Sequence, residues 1–156
     1  MLPPSAGVEG IVDFVCETVF AAGPNPCPPL LIGVGIGGSF EKAPILAKRS
    51  LFRSLGEHHG RQDVTDLEKV ILEKLNKEGQ GVEGMGGNNT ALAVHVEVFP
   101  SHIATLPVAQ NIQCHAHPHK DTILPGRHCP GHSPQNDYKH THVLPITQTS
   151  RPRQPA

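Results

Sequence analysis

The sequence predicts an α/β domain built on a small mixed β-sheet flanked by helices, followed by a disordered C-terminal tail. Three observations carry that expectation. Apolar residues recur at helical spacing over 7–22 and again over 63–78. Short runs suited to strands, over 30–34 and 93–98, alternate with them. Both patterns stop near Cys114.

Taken in order, residues 7–22 place Val8, Ile11, Val12, Val15 and Val19 on one helical face. Pro24, Pro26, Pro28 and Pro29 then forbid a helix and force an extended chain. Residues 30–34, Leu-Leu-Ile-Gly-Val, form an apolar run suited to a buried strand. The glycines Gly33, Gly35, Gly37 and Gly38 follow, and Ser39 is placed to cap a helix running to about Leu55. Asp63 or Thr65 opens another helix, with Leu67, Val70, Ile71 and Leu75 at helical spacing and Gly79 ending it. Residues 81–87 are a glycine-rich loop. Residues 93–98 alternate as a strand does, and 107–113 supply one more short strand. The sequence shows no internal repeat.

Composition bounds the function. A chain of 156 residues is enough for one domain of ordinary size, and 37% hydrophobic residues allow it a core. With 13 Lys+Arg against 14 Asp+Glu, nothing favours a nucleic-acid or anionic-membrane partner, which usually shows as a basic excess. No apolar run approaches the roughly 20 residues that span a bilayer. The N-terminus has neither the basic segment nor the apolar segment of a secretory signal. These features predict a soluble, cytoplasmic protein.

The tail differs in character. Seven of the eleven histidines lie from His115 onward, among many prolines and without a helical or strand period. Such a segment buries too little apolar surface to offset its ordering entropy. The predicted organisation is therefore a domain over 1–119 and an irregular His/Pro-rich tail over 120–156.

Four cysteines, Cys16, Cys27, Cys114 and Cys129, are widely spaced and form no CxxC pair. Metal ligands or inert core thiols fit that spacing better than a disulfide framework. Cys27 stands between prolines at the entry to the first strand, and Cys114 closes the last. The residues alone favour two buried thiols behaving as small hydrophobes. Cys114, His115, His117 and His119, with His128, Cys129 and His132, offer zinc-ligand types, yet the spacing matches no finger or ribbon. The run from Gly33 to Gly38 satisfies GxGxxG, and Glu57 lies where a ribose-binding acid is expected. Its context fails, because the residues before Glu57 read as a helix end rather than a second strand. A loop whose backbone approaches a ligand or another loop is the better reading. His95 and His102 flank the end of the 93–98 strand. His95 reads as a satisfied strand residue, and His102, in a loop after Pro100, is the freer to meet a ligand.

Taken together, the segments resemble a known family. The opening stretch, with its Cys27-Pro28-Pro29 entry and GVGIGG run, is similar to the second half of the α-part of class I, iron–sulfur fumarate hydratases. The stretch from GVEGMGGNNTALAVHVE through His102-Ile103-Ala104 to Asn111-Ile112-Gln113-Cys114-His115 resembles its closing segment. The match is collinear over about 1–117, and the α-subunit of L(+)-tartrate dehydratase shares the same motifs. The resemblance implies a [4Fe–4S] cluster held by three cysteines, two of them Cys27 and Cys114, with one iron open to substrate. It implies that His102 contacts the substrate, a small dicarboxylic acid. It also implies a partner, either a β-subunit or a C-terminal domain of the same enzyme, carrying the acid/base groups.

The chain departs from that pattern in ways that matter. The first cluster cysteine belongs upstream of the CPP motif, and neither Cys16 nor Cys129 replaces it. Gly87-Asn88-Asn89-Thr90 stands where the family carries a positive charge. Beyond His117 the resemblance ends. The leading expectation is a hydro-lyase subunit or fragment that interconverts fumarate and malate and is inactive alone. The alternatives are a tartrate dehydratase subunit, a non-catalytic protein that binds metal through its tail, and a decayed fragment.

Overall fold

A computed structural model describes residues 1–116, which fold as three layers, helix on sheet on helix. The readings placed on 120–156, including the tail histidines and Cys129, lie outside the described residues. Helix α1 (Gly7–Ala22) buries Ile11, Val12, Val15, Cys16 and Val19. Val8, expected on that face, is 62% exposed. Gly23 ends the helix at φ 58, its N–H donating to the Val19 and Phe20 carbonyls, a conformation glycine adopts without steric cost.

Strand β1 (Leu30–Gly37) is central and wholly buried. It pairs in parallel with β2 (Ala91–Phe99) and antiparallel with β3 (Val108–Cys114), so the order is β2-β1-β3 and the sheet is mixed, as predicted. The β1–β2 register slips by one between Leu30 and Leu31. That irregularity lets Ala91 share a face with Val94 and Val96 although the spacing is odd. On one side of the sheet Leu30, Ile32, Val34 and Ile36 pack with α1 and with Val64, Ile71 and Leu75 of α3 (Gln62–Glu78). On the other, Leu31 and Ala93 meet Leu51, and α2 (Lys42–Ser50) lies across the strand.

The GxGxxG run is resolved by this packing. Five of its six residues lie inside β1, and the backbone approaches α2, not a ligand. A Cβ on Gly33 would run into the Ala47 carbonyl oxygen, and one on Gly35 into the Ala43 carbonyl oxygen. Glu57 sits exposed in the turn region after α2 instead of closing a second strand, so a dinucleotide unit is absent from this segment. A Gly35→Ala substitution is expected to destabilise the fold by about 1–3 kcal/mol through overpacking. Urea unfolding followed by circular dichroism checks this, and an unchanged midpoint would refute close helix–sheet packing as the role of these glycines.

One helix boundary and one helix face correct the sequence reading. Helix α2 ends at Ser50, not near Leu55, because the Ser50 hydroxyl donates to the Ala47 carbonyl and Arg53 is drawn elsewhere. Ser39 is not the cap residue of α2, which is Glu41 without a side-chain cap bond, although the Lys42 N–H donates to the Ser39 hydroxyl at 3.3 Å. In α3, Val70 is 50% exposed, whereas Glu68 is buried in its place. Glu68 is there because Arg53 needs it. The guanidinium donates to Glu68 Oε1 at 2.6 Å, to Glu97 Oε1 at 2.6 Å and to the Val96 carbonyl at 3.0 Å, while the Val96 N–H donates to Glu68 at 2.8 Å. Lower down, the Asn76 amide both donates to and accepts from the Ala91 backbone. Side chains thus satisfy backbone groups on β2 that would otherwise lie unpaired at a sheet edge.

Candidate functional site

The residues singled out by sequence collect at the two ends of the sheet. At the end where β1 begins, Cys27 and Cys114 come together. Register places Cys114 opposite Leu30, and Cys27 lies just before that residue in the chain. The turn through Pro24 is closed by the Cys27 N–H donating to the Pro24 carbonyl at 3.0 Å. Cys27 itself has φ 58, a left-handed conformation that few non-glycine residues adopt and that the surrounding structure must impose. His115 ties the two segments, its Nδ1 lying 3.2 Å from the Cys27 carbonyl oxygen and 3.9 Å from Cys114 Sγ. The Ala116 N–H donates to Cys114 Sγ at 3.4 Å.

The glycine-rich loop packs beside this pair. The Glu83 N–H donates to the Pro28 carbonyl at 3.0 Å, and the Gly86 N–H to the Gln80 carbonyl at 2.8 Å. Close approach requires glycine at residue 81, whose Cβ would strike the Gly86 backbone. Desolvation of its sulfur, then the adjacent Cys114 thiol and the Glu83 carboxylate, hold the Cys27 thiol above its ordinary range. A cation bound between two adjacent sulfurs favours their ionised, ligating form. The arrangement therefore fits a metal or metal cluster bound by two sulfurs. Among the described residues no group of three His, Cys, Asp or Glu residues is placed to hold a metal ion by itself.

The buried-thiol reading of these cysteines is overturned. Cys27 is exposed and Cys114 half-buried, because prolines and the strand end leave both at the rim of the sheet. The thiol that does behave as a core hydrophobe is Cys16 on α1, with its pKa pushed up to about 11 by burial.

His102 stands at the opposite end. It lines an open cleft of about 460 Å³ with Gly38, Ser39, Lys42, Phe99, Pro100 and Ser101. Its Nδ1 accepts from the Ala104 N–H at 3.1 Å, which fixes the ring and turns Nε2 outward. Lys42, whose Nζ lies 5.0 Å from the Phe99 ring centroid, brings a cation to the same cleft. Sequence reading passed over Lys42, which is one charge at the start of a helix until the fold sets it beside an imidazole. The eight residues of β1 separate the two ends, a span of roughly 20 Å at strand rise. His95 does not belong to either end. It is buried on β2, and burial followed by the nearby Arg53 cation pushes its pKa down. No helix among the described residues is long and apolar enough to cross a membrane.

This three-layer α/β segment, with two thiols gathered beside a constrained turn, carries the collinear motifs of a known protein class. More closely, the chain is a member of the fumarate hydratase family, described as "Fumarate hydratase (Fumerase)", whose model matches residues 1–122. A protein of Methanocaldococcus jannaschii, provisionally named L(+)-tartrate dehydratase subunit alpha, is 50% identical over 116 residues, 74% of this chain and 41% of its own. The L(+)-tartrate dehydratase subunit alpha of Escherichia coli K12 is 39% identical over 124 residues, 80% of this chain and 41% of its own. The same figures hold for the subunit of that name from Shigella sonnei. The chain thus spans about 41% of the length of these curated relatives.

Proposed function

We propose that the chain is part of the α-subunit of an iron–sulfur hydro-lyase that interconverts fumarate and malate. The observation that carries this is the convergence of Cys27 and Cys114 beside the glycine-rich loop. In this reading both thiolates ligate a [4Fe–4S] cluster, and the third cysteine comes from outside the described residues. When bound, the cluster supplies a Lewis acid for the hydroxyl that leaves as water. A β-subunit, or an equivalent C-terminal domain, supplies the acid/base groups. The names of the relatives favour a second substrate, L(+)-tartrate, which presents the same motif of a hydroxyl-bearing carbon between carboxylates.

The chain's own contribution beyond the thiols is recognition of a carboxylate. His102 offers its outward nitrogen as a donor, and Lys42 places a positive charge at the same cleft. A small diacid does not reach across roughly 20 Å of sheet. If both groups serve one substrate, His102 therefore completes the site of a second copy. A two-fold axis perpendicular to the strands would set the His102 end of one copy beside the thiol end of the other.

The test of the cluster is analytical. The chain, assembled with the polypeptide that supplies the third cysteine, is reconstituted with iron and sulfide without oxygen, beside the same assembly made with a Cys27→Ser, Cys114→Ser double variant. Near-equal iron and acid-labile sulfide in the parent, falling by about tenfold or more in the variant, is the expected result, since loss of ligating sulfurs costs at least that much affinity. Metal retained by the double variant would end the proposal and move the site to the His-rich tail.

A further inference from the structure

We infer that Cys27 and Cys114 are a disulfide-forming pair, which a small-molecule disulfide such as oxidised glutathione closes whenever no metal occupies the two sulfurs. The inference rests on thiol geometry, and the hydro-lyase reading only gives it a consequence, that closure removes two cluster ligands at once. The two thiols are side-chain neighbours, held there by three independent constraints. The Pro24–Cys27 turn fixes the first thiol, the β1–β3 ladder fixes the second, and His115 Nδ1 contacts both segments at 3.2 and 3.9 Å. A disulfide demands side chains already close and facing, because moving backbone to meet it stores strain.

Their exposures differ in the way such a pair requires. Cys27 is exposed and open to an incoming oxidant, while Cys114 is half-buried behind it and able to resolve what forms. Cys27 sulfur, as thiolate, attacks one sulfur of the oxidised glutathione. That forms a mixed disulfide, breaks the glutathione S–S bond and releases one glutathione thiolate. The Cys114 thiolate then attacks the Cys27 sulfur, forming the protein disulfide and expelling the second glutathione. Two protein thiols have lost two electrons and two protons, and the oxidant has become two thiols. Cys16 does not compete, because it is buried on α1 among Ile11, Val12, Val15 and Val19.

The experiment uses the full chain, stripped of metal by chelation under anaerobic conditions and treated with oxidised glutathione. Free thiols are then alkylated after denaturation, and peptides are mapped by mass spectrometry. The expected result is a single cross-linked peptide joining Cys27 to Cys114 in most molecules. A Cys114→Ser chain is expected to stop at glutathione on Cys27. Glutathione left on Cys27 of the unmodified sequence, or cross-links from Cys27 to Cys16, to Cys129 or to another chain in place of Cys114, would overturn the inference. A disulfide formed by a chain that takes up no iron even when the polypeptide carrying the third cysteine is supplied would sink the cluster reading alone. Iron uptake by a chain that forms no disulfide would sink this inference alone.

Discussion

Mixing a Cys27→Ser chain with a His102→Ala chain is expected to restore turnover that neither supports well alone. The assay is fumarate hydration or tartrate dehydration after assembly with the polypeptides that supply the remaining ligand and the β-subunit. Removing a hydrogen bond to a charged group costs about 1.5–3 kcal/mol, so His102→Ala alone keeps under about a tenth of the activity. Losing a cluster thiol leaves essentially none. With random pairing, half of the dimers are mixed, and each mixed dimer holds one site with an intact thiol pair from one copy and an intact His102 from the other. Recovery of about a quarter of the original activity follows from that two-fold arithmetic. If His102 acted on its own chain's thiols, every site in every dimer would lack one group and the mixture would recover nothing beyond its components. The outcome thus reads the roughly 20 Å separation of the sheet ends directly in catalysis.

Much of the fold was legible because its signals are local. Ile11, Val15 and Val19 recur at helical spacing, Gly79 stops α3, and the alternation after Ala91 is that of a strand. His102 stands out in the sequence by its place in a loop after Pro100, whereas Cys27 and Cys114 become candidate cluster ligands only through resemblance, because nothing local marks a thiol as a ligand. Their exposure could not be read from residue type, since free cysteine is so often buried, as Cys16 is. What escaped were features that exist only in three dimensions. Gly33 and Gly35 read in sequence as a loop whose backbone approaches a ligand or another loop, because the glycine pattern for close helix–strand packing is shared with such loops. The burial of Glu68 went unread because its partner, Arg53, lies fifteen residues earlier, outside α3. The distance between His102 and the thiols was equally hidden. They are twelve residues apart in sequence from His102 to Cys114, yet β3 carries the chain from one end of the sheet to the other.

The Arg53 network carries the second large effect, on stability. Arg53 and Glu68 have side chains 9% and 6% exposed, and Glu97 is 27% exposed, so Glu68 is the partner whose loss water cannot make good. A Glu68→Ala variant leaves a buried guanidinium half-paired and strips the Val96 N–H of its acceptor, and it is expected to lose about 3–5 kcal/mol of unfolding free energy. Glu97→Ala removes a partner that solvent can partly replace, and about 1 kcal/mol is expected there. Urea titration of the two variants beside the parent separates these values. Equal, small losses would mean that the network is solvated and does not lock α3 to β2. Replacing Arg53 with methionine together with Glu68→Leu tests the complementary point. A buried ion pair exchanged for apolar groups of similar volume is often nearly neutral. Here the double variant still orphans the Val96 N–H and carbonyl at the sheet edge, two backbone groups whose desolvation costs about 1–3 kcal/mol each. A double variant as stable as the parent would show that β2 does not depend on these side chains to close its edge. A loss near that of Glu68→Ala would show that the ion pair matters chiefly as backbone capping.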